Sequence, residues 1–426
     1  MKQKRNLSRI TVLFIALVVA LASAVSCASI SRLNDPALKG EDGYDKLELI
    51  DRLFNTYSLF DLEGEALMDA VLKGYVAGTG DKYAEYFTEE EYKQFTSDNK
   101  GESVGIGINV VQNPDENGID IINVMPESPA LKAGILPGDI ITHIGTGESK
   151  QSVEALGYTK ALDMLKGAEG SIAEFTVSRT TDGGTEQIEF AVPREKIVSV
   201  SVMSHVCETD KSVGIVKITQ FNLTTPSQFC DAVDGLLAKG CDKFVFDVRY
   251  NPGGDLVSIK SVLSYFLNED DVFIRIADKN GKIETDKIEA INYTGNYEDC
   301  SIEKSDIGKY RDLEFAVLTN GSTASAAELF TSALKDYGLS VTVGTKTYGK
   351  GTMQTTFSLA PYGYGGALKL TTKYYYPPIS DSYDGIGIIP NREVELDEAL
   401  EGKNIYTIKD AEDNQLQAAV EELYKK

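Results

Sequence analysis

The feature that most constrains the fold is a regular alternation of strand patterns and helix patterns over residues 195–400. Short runs rich in Val, Ile and Phe predict strands, and stretches with apolar residues at helical spacing follow them. The predicted strands cover residues 213–218, 244–248, 315–319 and 341–343, and the predicted helices cover 226–238, 256–266 and 324–335. Such alternation favours an open sheet covered by helices, so this region is predicted to be an α/β domain.

Other patterns flank this domain. Residues 40–98 repeat apolar side chains at helical spacing and are predicted to form a helical N-terminal domain. Residues 99–192 change to short strands with Gly-rich turns, which indicates a small β-rich domain. Residues 401–426 contain a short amphipathic helix over 414–424. A chain of 426 residues is too long for one compact core, and the sequence predicts a multidomain α/β protein.

The first residues have the pattern of an export segment. Basic residues precede an apolar run over residues 10–25, and small residues with Cys27 follow it. Residues 24–27 resemble a bacterial lipobox, in which the cysteine is lipidated, although Ala24 stands where leucine is usual. We therefore expect residues 1–27 to direct export and attach the chain at Cys27 to the outer face of the bacterial cytoplasmic membrane. An uncleaved N-terminal membrane anchor or plain secretion stays open.

Charge and cysteine spacing exclude several classes of protein. The net charge of −23 argues against a nucleic-acid-binding surface, which needs basic patches. No C-x-x-C pair occurs among the cysteines beyond the export segment, so neither a zinc site nor a redox site is predicted. These cysteines are Cys207, Cys230, Cys241 and Cys300. No metal and no other cofactor is implied.

Histidine, the usual base for a catalytic serine, is scarce in this chain. His143 belongs to the small β-rich domain, and His205 lies in the stretch that connects it to the α/β domain. The sequence gives poor support to a Ser-His-Asp arrangement, and a Ser-Lys pair remains.

Ser325 lies where the predicted strand 315–319 turns into the next helix. At such a turn the unbonded N–H groups and the dipole of the helix favour a developing negative charge, as on an oxyanion. Ser322, Thr323 and Ser325 are also typical helix-capping residues. The local sequence leaves both interpretations open.

Lys350 lies between two glycines, Gly349 and Gly351, after the predicted strand 341–343. A tight backbone could direct its side chain into a cleft, where burial would disfavour the ammonium and lower its pKa, as a base requires. Gln354 could accept a hydrogen bond from the amine and orient it. A lysine between two glycines is also common in surface turns.

Gly253 and Gly254 follow the predicted strand 244–248, in an Asn-Pro-Gly-Gly sequence. Glycines allow the backbone to approach a ligand and to turn its N–H groups toward it. An oxyanion hole needs this property.

Together these three segments resemble the carboxyl-terminal processing, or tail-specific, serine proteases, which use a Ser-Lys dyad. The match to the family's nucleophile segment covers residues 322–328, and Lys350 follows Ser325 by 25 residues in the G-K-G-x-x-Q pattern of the family. The family's Asn-Pro-Gly-Gly loop, with an arginine two residues before it, corresponds to residues 249–254. Ala327 departs from relatives that often have a second serine at this position.

The resemblance implies the roles of these residues. Ser325 is expected to be the nucleophile, Lys350 its base and Gln354 the group that orients Lys350. The oxyanion hole is expected to consist of Gly253 or Gly254 with the N–H of Ala326.

Residues 99–192 resemble a PDZ domain, which such proteases contain. The resemblance implies that the segment Gly105, Ile106, Gly107 and Ile108 receives the terminal carboxylate of a peptide, which is added as a strand. The substrates are therefore expected to be proteins or peptides with apolar C-termini.

The sequence as a whole predicts a serine endopeptidase that cleaves exported proteins near their C-termini. The alternative is a catalytically inactive, PDZ-containing scaffold that only binds. The helical ends could mediate a homodimer, although surface helices are the more common case.

Overall fold

The structure is a computed structural model that describes residues 43–60, 64–113, 118–125, 127–181, 183–400, 405 and 408–425. The predicted export segment and Cys27 lie outside these residues. The chain divides into two compact units, Met1–Gly78 and Thr79–Lys426. None of the helices in the described part of the chain has both the length and the apolar character needed to span a bilayer.

The described part of the first unit contains two helices, α1 (Gly43–Tyr57) and α2 (Gly64–Ala77). Both fall in the region predicted to be helical. The second unit begins with a strand that the sequence did not reveal, β1 (Glu85–Phe87), and continues with helix α3 (Glu89–Asn99). Thr88 starts α3 by accepting a hydrogen bond from the N–H of Glu91, whose carboxylate accepts from the N–H of Thr88 in return.

The PDZ-like region consists of short antiparallel strands and short helices. Its strands are β2 (Glu102–Gly105), β3 (Ile108–Asn113), β4 (Gly118–Val124), β5 (Ile140–Ile144), β6 (Gln151–Ser152), β7 (Ile172–Thr181), β8 (Gly184–Pro193) and β9 (Glu195–Val198). Its helices are α4 (Pro129–Lys132), α5 (Val153–Leu156) and α6 (Tyr158–Leu165). The main sheet has the order β3-β4-β5-β7-β8 around fully buried Ile119, Ile141 and Phe175. Strand β3 lies at its edge and pairs with β4 alone among the described strands.

The remaining strands form two further sheets. They are β10 (Val202–Val206), β11 (Val213–Ile218), β12 (Lys243–Asp247), β13 (Val272–Ala277), β14 (Ile283–Lys287), β15 (Glu314–Thr319), β16 (Ser340–Gly344), β17 (Thr352–Ser358), β18 (Ala367–Tyr376) and β19 (Arg392–Glu393). The helices are α7 (Thr225–Ala238), α8 (Leu256–Ser264), α9 (Ala326–Asp336) and α10 (Asn414–Glu422). The four predicted strands coincide with β11, β12, β15 and β16, which confirms the alternation read from the sequence.

The larger sheet has the order β10-β11-β12-β15-β16-β19, and its strands from β11 to β19 run parallel. Alternate residues of each strand face opposite sides of the sheet. On β12, Phe244 and Phe246 belong to a core that includes residues of α7, α8 and α9. Val245 belongs to a second core with residues of α10. Helices thus cover both faces, and the predicted multidomain α/β fold is confirmed.

The carboxyl ends of β12 and β15 meet at one edge of this sheet, where open α/β sheets bind their ligands. Each strand leads into a loop, residues 248–255 and 320–325. The loops are joined by hydrogen bonds from Ala324 N to Asn251 O (2.9 Å) and from Tyr250 N to Asn320 Oδ1 (3.0 Å). The two glycine- and serine-bearing segments singled out from the sequence are therefore neighbours.

The smaller sheet has the order β1-β18-β13-β14, and β17 also pairs with β18. Strand β17 begins at Thr352, two residues after Lys350, so this sheet carries the lysine segment. Strand β1 pairs with the start of β18, from Glu85 opposite Lys369 to Phe87 opposite Ala367. The residues around β1 are thereby attached to the sheet that carries Lys350.

A buried ion network fastens the C-terminal segment to the base of loop 248–255. The guanidinium of Arg249, only 2% exposed, donates to both carboxylate oxygens of Asp247, to both of Asp413 and to Gln415 Oε1. Burial by itself would lower the pKa of Arg249, but the two aspartates outweigh it, and the net pKa is raised. Because a buried charge is tolerated only when it is paired, α10 and this loop are fixed to each other.

Candidate active site

Ser325 lies between β15 and α9 in a backbone conformation that side-chain-bearing residues rarely adopt, with φ 55° and ψ −119°. Helix α9 consequently begins at Ala326 and not at Ala324 as the sequence predicted, since a residue with positive φ cannot continue an α-helix. The strained turn presents Ser325 at the N-terminus of a helix. Such strain is typical of functional residues.

Of the two glycines of loop 248–255, Gly253 packs against Ser325 and Gly254 against Phe221, and the two differ in their hydrogen bonding. A Cβ atom on Gly253 would lie 2.7 Å from the Cβ of Ser325 and 2.9 Å from the nitrogen of Ala326, so only glycine fits. The N–H of Gly253 donates to Asn251 Oδ1 at 2.9 Å. The N–H groups of Gly254 and Ala326, in contrast, make no hydrogen bond within the described part of the chain. Of the predicted oxyanion donors, these two are available to a ligand.

A buried carboxylate, that of Glu328, joins the serine segment to the lysine segment. Its Oε2 accepts hydrogen bonds from the backbone N–H groups of Ser325 (2.9 Å) and Lys350 (2.8 Å). Its Oε1 accepts from the N–H of Gly349 and the hydroxyl of Thr347, each at 2.6 Å. Glu328 is fully buried, and burial raises its pKa more than these hydrogen bonds lower it, so that the net pKa is raised. Glu328 lies in the segment that resembles the family's nucleophile segment, but no role was predicted for it, because its partners Thr347, Gly349 and Lys350 lie 19, 21 and 22 residues further along the chain.

All backbone polar groups from Gly349 to Gly351 are hydrogen bonded. Besides the two N–H groups held by Glu328, Gly349 O accepts from Gly385 N (2.8 Å), and Gly351 N donates to Asp384 Oδ1 (2.8 Å). Tyr375 supplies the last two bonds, since its hydroxyl donates to Lys350 O (2.5 Å) and its N–H donates to Gly351 O (2.9 Å). The tight backbone expected around Lys350 is therefore present.

The close approach of residues 383–387 explains the glycines on both sides of Lys350. A Cβ atom on Gly349 (φ 90°) would lie 2.7 Å from the nitrogen of Gly387, and one on Gly351 would lie 2.8 Å from the Cβ of Asp384. Any larger residue at either position would displace the lysine segment.

The amine of Lys350 lies over the ring of Tyr83, with Nζ 4.4 Å from the ring centroid. Burial lowers the pKa of Lys350, the positive charges of Lys369 and Lys82 lower it further, and the carboxylate of Glu328 opposes them. No direct hydrogen bond joins Lys350 to Ser325 among the described residues. The environment thus favours a neutral amine, as a base requires, and the amine points toward Tyr83.

Gln354 lies on β17 near Lys350 but is not bonded to it. Its Nε2 donates to Thr352 Oγ1 (3.3 Å) and Thr371 Oγ1 (3.2 Å). The orienting role of Gln354 stays a prediction.

One cavity of about 570 Å³ contains the candidate residues together, being lined by Ser325, Ala326, Gly254, Lys350 and Gln354. Apolar and aromatic side chains form much of the remaining wall, among them Phe95, Leu223, Leu256, Leu329, Met353 and Tyr375. The cavity combines a serine, a lysine with a lowered pKa and two available N–H groups with an apolar lining. This set can support acyl transfer to a serine.

Neither histidine lines this cavity. His143 lies on β5, where its Nδ1 contacts Thr142 Oγ1 at 3.0 Å. His205 lies on the edge strand β10, with its Nε2 2.9 Å from Asp410 Oδ1. Lys350, which lines the cavity, is therefore a better candidate for the base than either histidine.

The PDZ-like region presents the predicted carboxylate-binding segment next to the free edge of β3. Ile106 O accepts from Ala130 N (2.8 Å) and Gly107 O accepts from Met125 N (2.9 Å), so both carbonyls bond within the domain. The N–H groups of Ile106 and Gly107 make no hydrogen bond in the described part of the chain. Gly107 has φ 85°, and a Cβ atom there would lie 2.2 Å from the Cβ of Ser128.

Comparison with known proteins assigns both regions. Residues 212–394 match peptidase family S41, and residues 96–177 match the PDZ domain family. A "Probable CtpA-like serine protease" of Staphylococcus saprophyticus is 29% identical over 402 residues, which cover 92% of this chain and 75% of the relative. Its counterpart in Staphylococcus aureus strain COL is 29% identical over 381 residues, covering 89% and 70%.

A solved structure assigned to the S41 proteases, from Bacteroides fragilis NCTC 9343, supports the fold. It aligns with a TM-score of 0.52 at 18% identity and covers 86% of this chain and 92% of its own. Two separate regions of the chain thus match the PDZ domain family and peptidase family S41, and the resemblance to carboxyl-terminal processing proteases is confirmed. The protein is a serine peptidase.

Proposed function

We propose that the protein is an endopeptidase with a Ser325-Lys350 dyad that cleaves exported proteins near their C-termini after the PDZ domain has bound the tail. The observation that carries this proposal is the Glu328 carboxylate, which bonds the backbone N–H of both Ser325 and Lys350 at the wall of one cavity. The bond to Ser325 is a capping-box contact that an N-cap serine makes, whereas the bonds from Thr347, Gly349 and Lys350 bring the lysine segment to the same buried carboxylate.

The reaction follows from the atoms around this cavity. The neutral amine of Lys350 takes the proton of Ser325 as Oγ attacks the substrate carbonyl carbon, and the N–H groups of Gly254 and Ala326 stabilise the oxyanion. Lys350 then gives the proton to the leaving amine, which completes the acyl-enzyme. Water, deprotonated by Lys350, attacks the ester, and the proton returns to Ser325 as the acid product leaves.

Catalysis requires the amine of Lys350 to turn from the ring of Tyr83 toward Ser325. The side chains of Lys350 and Ser325 line the same cavity, so the amine would reach Ser325 by rotation of the lysine side chain. Gln354 lines this cavity too, and its amide oxygen, which has no hydrogen-bond partner among the described residues, is available to accept a hydrogen bond from the turned amine. We propose that Gln354 orients Lys350 in this reactive position.

Ser325→Ala and Lys350→Ala are expected to lower kcat/KM by at least about a thousand-fold, because each removes a group that forms or breaks a bond. The measurement is cleavage, by the full chain, of a peptide with an apolar C-terminus. Exposed Ser322 and Lys346 lie in the same two segments, and Ser322→Ala and Lys346→Ala serve as matched controls that keep full activity. Dyad variants that cut as fast as wild type would rule out the dyad. Wild type that binds the peptide but does not cut it would favour the inactive scaffold.

Recognition of the tail by the PDZ domain is proposed from the unbonded N–H groups of Ile106 and Gly107 and the free edge of β3. Amidation of the substrate's C-terminus removes the charge that these groups would bind. We expect the KM of the amidated peptide to be about tenfold higher or more, with kcat little changed, since a hydrogen bond to a charged group contributes more than one to a neutral group.

Gly107→Val tests the same recognition from the side of the protein, because the valine side chain would collide with Ser128. It should raise the KM of the free-acid peptide toward that of the amide. Equal KM values for both peptides with wild-type protein would show that the carboxylate is not recognised.

Export and attachment through Cys27 are proposed from the sequence of residues 1–27. The full chain, produced in a bacterium fed an alkyne fatty acid, is expected to become labelled and to sediment with membranes. Cys27→Ala should abolish the label, whereas Cys230→Ala should keep it. An unlabelled wild-type chain would contradict lipidation, and its presence in membranes or in the medium would indicate an uncleaved anchor or secretion.

A further inference from the structure

Tyr375 is the cavity residue that bonds the carbonyl group of the proposed base. It lies near the end of β18, and its side chain is only 5% exposed. Its hydroxyl donates to Lys350 O at 2.5 Å, and its backbone N–H donates to Gly351 O at 2.9 Å. Tyr375 therefore contacts two successive residues of the lysine segment.

The contacts of Tyr375 and Glu328 are complementary. Glu328 accepts from the N–H of Lys350, and Tyr375 donates to its C=O, so the backbone of Lys350 is held from opposite sides. The position of an amine at the end of four methylene groups depends on the orientation of its own backbone. Even a small rotation there would move Nζ relative to Ser325, and misplacement by about an ångström can cost a hundredfold in rate.

The surroundings keep the Tyr375 hydroxyl in place and protonated. The ring of Tyr383 packs edge-on against the ring of Tyr375, with the ring centroids 6.0 Å apart and the ring planes at 77°. Burial raises the pKa of Tyr375, and the neighbouring side chains of Tyr383 and Ser325 partly offset that effect. Its hydroxyl thus stays a donor over the pH range in which a buried lysine loses its proton.

We propose that Tyr375 is a positioning residue of the peptidase reaction, whose hydroxyl holds the Lys350 carbonyl and thereby fixes the backbone from which the lysine side chain reaches Ser325. The proposal rests on the Ser325-Lys350 dyad. It assigns no proton transfer to Tyr375, which acts through Lys350. The charged groups that influence the base from the surrounding elements are Glu328 on α9, Lys369 on β18 and Lys82 before β1.

The test compares Tyr375→Phe with Tyr374→Phe in the full chain. Tyr374 precedes it on the same strand and is 52% exposed, which makes it a matched control. Tyr375→Phe is expected to lower kcat about tenfold or more with little change in KM, because the substrate-binding wall keeps its shape. Its pH profile of kcat/KM should move to higher pH, since a loosened Lys350 gains water and its pKa rises toward the ordinary value. Tyr374→Phe should match wild type in all three quantities.

Wild-type kinetics for Tyr375→Phe would overturn the proposal, and so would a loss confined to KM with an unshifted pH profile. Ser325→Ala and Lys350→Ala are measured in parallel. If both are inactive and Tyr375→Phe is normal, only the role of Tyr375 fails, and if both cut normally, the dyad itself fails.

A second substitution keeps the test valid if Tyr375→Phe does not fold. A fluorinated tyrosine at position 375 retains the ring and the hydroxyl but ionises at lower pH. Its activity should fall at alkaline pH, where the hydroxyl can no longer donate, while that of wild type still rises. An alkaline profile identical to that of wild type would contradict the proposed role.

Discussion

The buried carboxylate of Glu328 is the interaction on which the geometry of the site depends. A charge without water is stable in a protein only when donors surround it, and Glu328 finds four of them on two segments from different sheets. Ser325 enters from the large parallel sheet, whereas Lys350 leads into the smaller antiparallel one. One buried carboxyl group thus joins the segments of Ser325 and Lys350, the proposed nucleophile and base, which are distant in sequence. The requirement that buried polar groups be satisfied serves here to bring the proposed catalytic groups together.

Close packing of backbone, made possible by glycine, provides the rest of the arrangement. Gly253 allows loop 248–255 to lie against Ser325, and its neighbour Gly254 keeps an unbonded N–H at the cavity. Arg249 supports the base of this loop. Its charge is neutralised by Asp247 on β12 and Asp413 in the C-terminal segment. The buried charge network, the strained backbone of Ser325 and the closely packed glycines therefore act together. They fix the N–H donors and the proposed base in place.

The sequence predicted those features that depend on local pattern. The strand and helix alternation was readable because side-chain periodicity reports which faces are buried. Ser325 and Lys350 could be predicted as a dyad because they stand in short motifs at a recognisable spacing. The start of α9 was placed two residues early, since periodicity does not reveal a positive φ at Ser325. Glu328, Tyr83 and Tyr375 were missed as site residues because their roles arise from contacts across the fold. Tyr83 reaches Lys350 only through the pairing of β1 with β18, and no local signal predicts that pairing.

We propose that Lys350 acts as a neutral base because the cavity disfavours its charged form. This proposal is tested most directly by the rate at which a fluorophosphonate labels Ser325 as a function of pH. Only the neutral amine can accept the serine proton, and burial lowers the pKa of Lys350. The labelling rate should therefore rise with pH through a single midpoint below the ordinary lysine value of about 10.4. A rate independent of pH, or a midpoint at or above that value, would contradict the account.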